Sequence, residues 1–175
     1  MGKKWIAIAI ALTVVGLALP VTVAAAPGPP AQAKLNGFEE VPVILTGGQG
    51  QFRFKIEGDT IEWELRYSSL RGSVQQAHIH IAQPDVNGGV AVFLCTNLGN
   101  GPAGTQACPA PPATISGVAD AGDVVGAASA QGLAAGEFAR LLVALRSGNT
   151  YANVHSDLFP NGEIRGQIKG HPGPH

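Results

Sequence analysis

Three of the five histidines lie in segments whose residue pattern predicts β-strands. His78 and His80 belong to residues 77–81, where histidine alternates with apolar residues. Side chains two positions apart on a strand lie on the same face, so the pattern places these two imidazoles side by side. His155 ends the strand-like segment 152–155, in which Val154 is expected to point inward and His155 outward.

Two imidazoles from one strand and a third from a neighbouring strand would form a trigonal ligand set. A water or a substrate could then occupy an open position on the ion. Three neutral imidazoles suit copper or zinc and do not suit calcium or magnesium. The alternative is that polar histidines on an exposed sheet face are simply solvated, because spacing does not tell which strands are neighbours.

The elements that must position these histidines are predominantly strands. Residues 51–57 alternate apolar and polar, the pair Gly58-Asp59 follows, and residues 60–67 alternate again. Two such runs around a two-residue turn that contains glycine predict a β-hairpin. One buried face and one solvated face indicate an antiparallel sheet in a sandwich or barrel. The inward face comprises Phe52, Phe54, Ile56, Ile61, Trp63, Leu65 and Tyr67.

Further short strands and one helix complete the predicted domain. In residues 137–146 the apolar side chains recur at helical spacing, and Gly148 follows where the helix should end. We expect this helix to cover an open end of the sheet. The remaining strand candidates are residues 74–81, 89–94, 114–118, 150–155 and 162–169.

The first 26 residues have the three-part pattern of a secretory signal peptide. Lys3 and Lys4 precede an apolar stretch over residues 5–19, and small residues end the segment at Ala26. We expect cleavage after Ala26, with residues 31–33 as a second candidate site; an uncleaved membrane anchor is the alternative. Residues 27–33 are then a linker, residues 34–170 the β domain and residues 171–175 a disordered tail that carries His171 and His175.

An exported chain can keep disulfide bonds, and both cysteines, Cys95 and Cys108, lie beyond the signal segment. A bridge between them would close a glycine-rich loop and stabilise the fold by about 3 kcal/mol. Redox and metal sites favour the closer Cys-x-x-Cys spacing, so we expect a structural disulfide.

Composition excludes one class of partner. The chain has 11 basic and 12 acidic residues and a formal net charge of −1. A nucleic-acid binder needs a basic surface, so no nucleic-acid partner is expected. Beyond the signal segment there is no apolar stretch of membrane-spanning length, so no membrane association is expected after cleavage. The protein partner stays unidentified.

Four motifs in order resemble the CHRD domain, the module named from chordin that also occurs as single-domain exported bacterial proteins. The resemblance covers about residues 34–170. It implies the architecture of the domain more than an activity. The motifs are residues 35–42 (LNGFEEVP), 77–80 (AHIH), 153–156 (NVHS) and 160–167 (PNGEIRGQ).

A more distant likeness is to the copper half of Cu/Zn superoxide dismutase, an antiparallel Greek-key β-barrel. The resemblance implies that His78, His80 and His155 correspond to copper ligands. Residues 81–154 contain no histidine, so the bridging ligand and the zinc cluster have no counterparts. Residues implied beside such a site, orienting the ring nitrogens that do not bind metal, are Asn153, Glu163 and Arg165.

Together these observations predict an exported, all-β, superoxide-dismutase-like Greek-key domain with one short covering helix. We expect a periplasmic or secreted binding protein of the cell envelope or exterior, with a mononuclear copper ion, or zinc as the alternative, held by three histidines. The other candidates are a copper oxidoreductase and a metal-free adhesion or structural module. No catalytic residue is assigned.

Overall fold

The computed structural model describes residues 1–2 and 31–170. The expected signal segment (from residue 3), the linker up to residue 30 and the tail over residues 171–175 lie outside the described residues. Among the described residues, no helix has the length and apolar character needed to span a bilayer.

The described part of the chain is built mainly from β-strands, as the alternating segments predict. One α-helix, α1 (Phe138–Arg146), and three 3-10 helices (Gly37–Glu39, Ala121–Asp123 and Gly126–Gln131) lie among them. The strands are β1 (Ala31–Asn36), β2 (Gln49–Glu57), β3 (Thr60–Ser68), β4 (Val74–Ile81), β5 (Val90–Thr96), β6 (Ala113–Ala119), β7 (Thr150–Ser156) and β8 (Ile164–Gln167).

All eight strands form one antiparallel sheet in the order β5-β4-β7-β8-β1-β2-β3-β6. Hairpins join β1–β2, β2–β3, β4–β5 and β7–β8, whereas the neighbours β3·β6, β4·β7 and β1·β8 are distant in sequence. These crossovers make a Greek-key arrangement, and the sheet curls into a nearly closed barrel. An isolated bridge between Val92 and Val124 spans the gap near the edge strands β5 and β6.

The predicted hairpin is confirmed as β2 and β3. Their register runs from Gln49 opposite Ser68 to Glu57 opposite Thr60, so Gly58 and Asp59 form the turn. Gly58 has a φ of 58°, a conformation that glycine adopts without steric cost. The predicted apolar face lies inside the barrel, with Ile56 less buried than its neighbours.

β1 begins at Ala31, three residues before the predicted start of the domain at Lys34. Ala31, Ala33 and Leu35 alternate inward and join the core, while Gln32 and Lys34 are exposed. Alanine has a low strand propensity, so Ala31 and Ala33 give no local signal for a strand, and the sequence places them in the linker. All six residues of β1 pair with β2, and this pairing stabilises a strand that the local sequence does not indicate.

The helix is confirmed as α1, one residue shorter at its start than the predicted 137–146. Its inward side chains are Phe138, Leu141, Leu142 and Leu145. It lies at the end of the barrel that holds the β2–β3 turn and the last residue of β4. The helix thereby covers that end of the core, as expected.

The disulfide between Cys95 and Cys108 is present. Cys95 belongs to the edge strand β5, and Cys108 lies in the segment that leads to the other edge strand, β6. Both cysteines are buried, and Asn97 binds the backbone of Cys108 through both its amide nitrogen and its amide oxygen. The bridge therefore ties the connection between the two edges of the sheet to the core.

Candidate metal centre

The register between β4 and β7 brings the three predicted histidines together. His78 lies opposite Asn153, and Gln76 lies opposite His155, so His155 is the diagonal neighbour of His78. Side chains at such positions share one sheet face and are within reach of each other. The alternate residues of β4, Ala77 and Ile79, point into the core.

The register between β4 and β5, the strand on the other side of β4, changes beside both histidines of β4. Irregularities in the β4–β5 pairing fall between Ala77 and His78 and again between Ile79 and His80. Bulges of this kind bend a strand and change the direction in which neighbouring side chains point. The ring of Phe93 on β5 contacts His78 edge-on, with ring centroids 4.4 Å apart.

One candidate ligand atom from each of the three rings lies within 4.8 Å of the other two. The shortest separation is 3.1 Å, between Nδ1 of His78 and Nε2 of His155. An ion 2.0–2.1 Å from each nitrogen holds any two nitrogens at most about 4.1 Å apart. The closest pair already satisfies this distance limit, whereas separations of up to 4.8 Å within the set require the rings to move closer together on binding.

Backbone carbonyl groups fix which nitrogen of two rings carries the proton. Nδ1 of His80 donates to the carbonyl oxygen of Gly88 at 2.9 Å, and Nδ1 of His155 donates to that of Pro160 at 3.0 Å. A carbonyl oxygen only accepts, so Nε2 of each ring is the atom with a free lone pair. Such a hydrogen bond to the outer nitrogen is the usual support of a histidine ligand.

Two buried ring nitrogens of the cluster lack protein partners among the described residues. Nε2 of His155 accepts from Nδ1 of His78, which leaves Nε2 of His78 without a donor. Within residues 31–170, the buried Nε2 atoms of His78 and His80 have no hydrogen-bond partner. Buried nitrogen atoms without a protein partner are rare in folded proteins, and they indicate an ordered water molecule or a bound ion.

The three histidines are 2%, 6% and 5% exposed, in chain order, so the alternative of histidines on a solvated sheet face is wrong. The β4–β5 loop (residues 82–89) and the β7–β8 loop (residues 157–163) supply the carbonyl oxygens of Gly88 and Pro160 to the rings from outside the barrel. Sequence alternation distinguishes the core face from the outer face but not whether a loop covers the outer face.

Burial also keeps the rings neutral. It lowers the pKa of His78 to about 2, with further contributions from the neighbouring His155 and His80, and it lowers the pKa of His80 and of His155 to about 4. A neutral imidazole is the form that coordinates a metal ion. The donor set is therefore three neutral nitrogens, which suits copper or zinc.

Tyr151 stacks on the ring of His80, and Arg165 packs against the ring of Tyr151. The Tyr151 ring lies parallel to the His80 ring with centroids 4.7 Å apart, and the Arg165 guanidinium carbon is 3.6 Å from the centroid of Tyr151. Arg165 also donates to the β4–β5 loop, at the carbonyl oxygen of Val86 (2.9 Å) and at Oδ1 of Asn87 (3.2 Å). It thus helps to hold the loop that supplies the acceptor for His80.

The second group of predicted residues differs in its role from the expectation. In the part of the chain that the structure describes, neither Asn153, Glu163 nor Arg165 bonds a histidine ring, because the ring partners are main-chain carbonyl groups. Asn153 instead donates to Oε1 of Glu40 at 2.7 Å and to the carbonyl oxygen of Ile164. Asn153 lies opposite His78 in the register, but its hydrogen bonds are made to Glu40 and Ile164 and not to the rings.

Glu163 holds together the segments around His155. It is fully buried and accepts four hydrogen bonds, one of them from the hydroxyl of Ser156, the residue after His155. Burial alone would raise the pKa of this carboxyl, but the four donors outweigh burial and lower it. The other donors are the hydroxyl of Thr46 and the backbone amides of Arg71 and Gly72.

Sequence reasoning missed Glu40, Gly88, Tyr151 and Pro160. Burial raises the pKa of Glu40 to about 7, against a hydrogen bond from Asn153 and the charge of Arg165, which both lower it. Glu40 and Pro160 both lie within the CHRD-like motifs, so the motifs contained a usable signal. Gly88 and Tyr151 carried no such signal, because their roles depend on the loop and on the register between strands.

The family model described as CHRD domain matches residues 31–168. No curated protein and no solved structure matches the chain. The likeness to Cu/Zn superoxide dismutase therefore stays a prediction. The family match begins at the first residue of β1 and ends just beyond β8, so it includes the whole barrel and all three histidines. The chain belongs to the CHRD domain family.

Proposed function

We propose that this protein is an exported CHRD-domain binding protein that holds one copper or zinc ion through His78, His80 and His155. The observation that carries the proposal is the convergence of three buried, neutral imidazoles, two of which have a ring nitrogen without a hydrogen-bond partner in the described part of the chain. An ion would bind Nε2 of His80, which has no donor within residues 31–170, and would replace the hydrogen bond between Nδ1 of His78 and Nε2 of His155.

The energetic cost of the metal-free site supports a binding role. A buried polar atom left without a hydrogen bond costs about 1–3 kcal/mol. Two such atoms, on His78 and His80, lie in one cluster. Hydrophobic residues would fill the same space without this cost, so a purely structural role does not explain the choice of histidine.

Export is supported by the predicted signal segment together with the disulfide between Cys95 and Cys108. Disulfide bonds persist in oxidising compartments, such as the bacterial periplasm and the exterior of the cell. We propose that the domain works in one of these places. In either place the chain is mature and disulfide-bonded, and the three histidines must be neutral there for the site to bind an ion.

A copper oxidoreductase is the weaker alternative. Such an enzyme needs an open coordination position that a small substrate can reach. The rings of His78, His80 and His155 are almost completely buried. This burial favours holding an ion over exposing it to a substrate.

The test is metal binding by the mature chain with His171→Ala and His175→Ala, so that the tail histidines cannot contribute ligands. We expect one copper or zinc ion per chain by elemental analysis after gel filtration, and loss of that ion in the additional variant His80→Ala. Circular dichroism shows whether the variant is folded. Absence of bound metal from the tail-substituted protein would favour the metal-free adhesion module. Equal metal content in the His80→Ala protein would place the ion elsewhere.

A further inference from the structure

We propose that the ion this site selects is monovalent copper, so that the protein carries Cu(I) and does not cycle copper between oxidation states. The inference rests on the proposed function and adds the oxidation state of the cargo. It follows from three features of the cluster: the number of ligands, the charge around them and the closure of the site.

The number of protein ligands suits a low coordination number. The three rings supply three nitrogens, and in two of the rings the other nitrogen is already occupied, because the carbonyl groups of Gly88 and Pro160 accept from His80 and His155. Cu(II) prefers a tetragonal arrangement, and Zn(II) is almost always four-coordinate. Cu(I) is stable with three nitrogen ligands, which is the number that this cluster supplies.

Solvent is poorly placed to provide a fourth ligand. The Nε2 atoms of His78 and His80 are inaccessible, and Phe93 and Tyr151 pack against these two rings. The hydroxyl of Tyr151 is itself engaged, since it accepts from the backbone amide of Gly88 at 3.3 Å. A divalent ion would have to open the loops to gain a water ligand, whereas Cu(I) needs none.

The electrostatic surroundings of the site also favour a monovalent ion over a divalent one. All three ligands are neutral, and the Born cost of burying an ion increases with the square of its charge, so a divalent ion costs about four times as much as a monovalent one. The nearest buried cation is Arg165, on the far face of the Tyr151 ring that stacks on His80. Its positive charge opposes a divalent ion more than a monovalent one.

The two buried carboxyl groups, of Glu40 and Glu163, do not offset the charge of a divalent ion by binding it directly. Glu40 accepts from the side chain of Asn153, and Glu163 accepts four hydrogen bonds around Ser156. The cysteines are joined to each other and cannot act as thiolate ligands. Selection of Cu(I) here therefore depends on ligand number and charge instead of on sulfur.

The experiment is a set of competition titrations on the mature chain with His171→Ala and His175→Ala. Cu(I), under anaerobic reducing conditions without thiol, is competed with bicinchoninate, and Cu(II) and Zn(II) are competed with chelators of known affinity. We expect Cu(I) to bind at least ~100-fold more tightly than either divalent ion. X-ray absorption of the copper-loaded protein should show three nitrogen neighbours, a measurement that needs no further variant.

The outcomes separate this inference from the function on which it rests. Equal or tighter binding of Cu(II) or Zn(II) would overturn the Cu(I) inference and leave the metal-binding function standing. Failure of all three ions to bind would overturn both. As a test of the charge argument, Arg165→Met, checked by circular dichroism, should reduce the preference for Cu(I) over Zn(II) at least ~5-fold. An unchanged ratio in the folded variant would contradict that argument.

Discussion

The ring of Tyr151 lies parallel to the imidazole of His80, with an interplanar angle of 5° and centroids 4.7 Å apart. The two residues are direct partners in the β4–β7 register. Their stacking and a shared contact with Gly88, which accepts from His80 and donates to Tyr151, fix the His80 ring on two sides. The orientation of His80, a proposed metal ligand, thus depends on the neighbouring ring of Tyr151.

This arrangement predicts different effects for two substitutions of Tyr151. Tyr151→Phe keeps the stacked ring and loses only the hydroxyl, so we expect metal affinity to fall by a few fold. Tyr151→Leu removes the stacking surface, and we expect a decrease of about 10- to 100-fold, as for other residues that support a metal ligand. Competition titration measures both affinities. Equal affinities for the two variants would show that stacking does not position His80.

A second prediction concerns the loop that holds Nδ1 of His80. A Cβ atom added at Gly88 would collide with the carbonyl oxygen of Ile81, so Gly88→Ala must displace the loop and the acceptor it supplies. We expect Gly88→Ala to weaken metal binding at least ~10-fold. The matched control is Gly47→Ala, because a Cβ at Gly47 would have no neighbour within 4 Å. The same affinity in both variants would contradict the role of the Gly88 carbonyl.

Local alternation was sufficient to predict most of the barrel. The faces of the β2–β3 hairpin and the apolar stripe of α1 follow directly from which residues are apolar, because burial of those side chains drives the pairing. β1 could not be predicted in this way, since two of its three inward residues are alanines. Its conformation depends on β2 and β8, which are brought to it by the fold.

The sequence identifies the three histidines as candidate ligands, but it does not predict that they lie close together in the fold. Alternation places His78 and His80 on one face, and the position of His155 beside them depends on the antiparallel contact between β4 and β7, which are separated by about seventy residues. The carbonyl groups that bind the rings lie in two loops. Loop conformation depends on tertiary contacts such as those of Arg165 and Glu163, which no local pattern encodes.

The position of β1 makes a prediction about processing. Cleavage after Ala33 would remove half of a strand whose residues Ala31 and Ala33 are buried against β2. We therefore expect the exported protein to begin at Pro27, which leaves all of β1 in place. Intact mass measurement of the secreted or periplasmic chain determines its first residue. An N-terminus at Lys34 would contradict this expectation.

The disulfide should contribute substantially to stability because it closes a loop between residues 13 positions apart. The chain-entropy estimate for such a loop is about 3 kcal/mol. We expect the reductant dithiothreitol to lower the urea midpoint of the wild type and to have no effect on Cys95→Ala/Cys108→Ala. Unfolding followed by tryptophan fluorescence gives both midpoints. A wild-type midpoint that does not change on complete reduction would contradict this contribution.

Glu40 should make the stability of the protein depend on pH. Its carboxyl is buried beside Asn153, and burial raises its pKa from 4.5 to about 7 in the folded chain. Between these two values the folded protein keeps a proton that the unfolded chain has released. The stabilising contribution is therefore fully present below pH 4.5 and is lost as the pH rises through 7.

The variant Glu40→Gln removes this titration while keeping an oxygen that can accept from Asn153. We expect it to be more stable than the wild type at pH 8.5 by up to about 3 kcal/mol, and to differ much less from it at pH 4.5. The control is Glu39→Gln, a change at the exposed neighbouring residue, which should follow the wild-type curve. Urea unfolding at a series of pH values measures the three curves. Parallel curves for Glu40→Gln and the wild type would show that Glu40 does not carry the pH dependence, because only a carboxyl that holds its proton on folding can produce the difference.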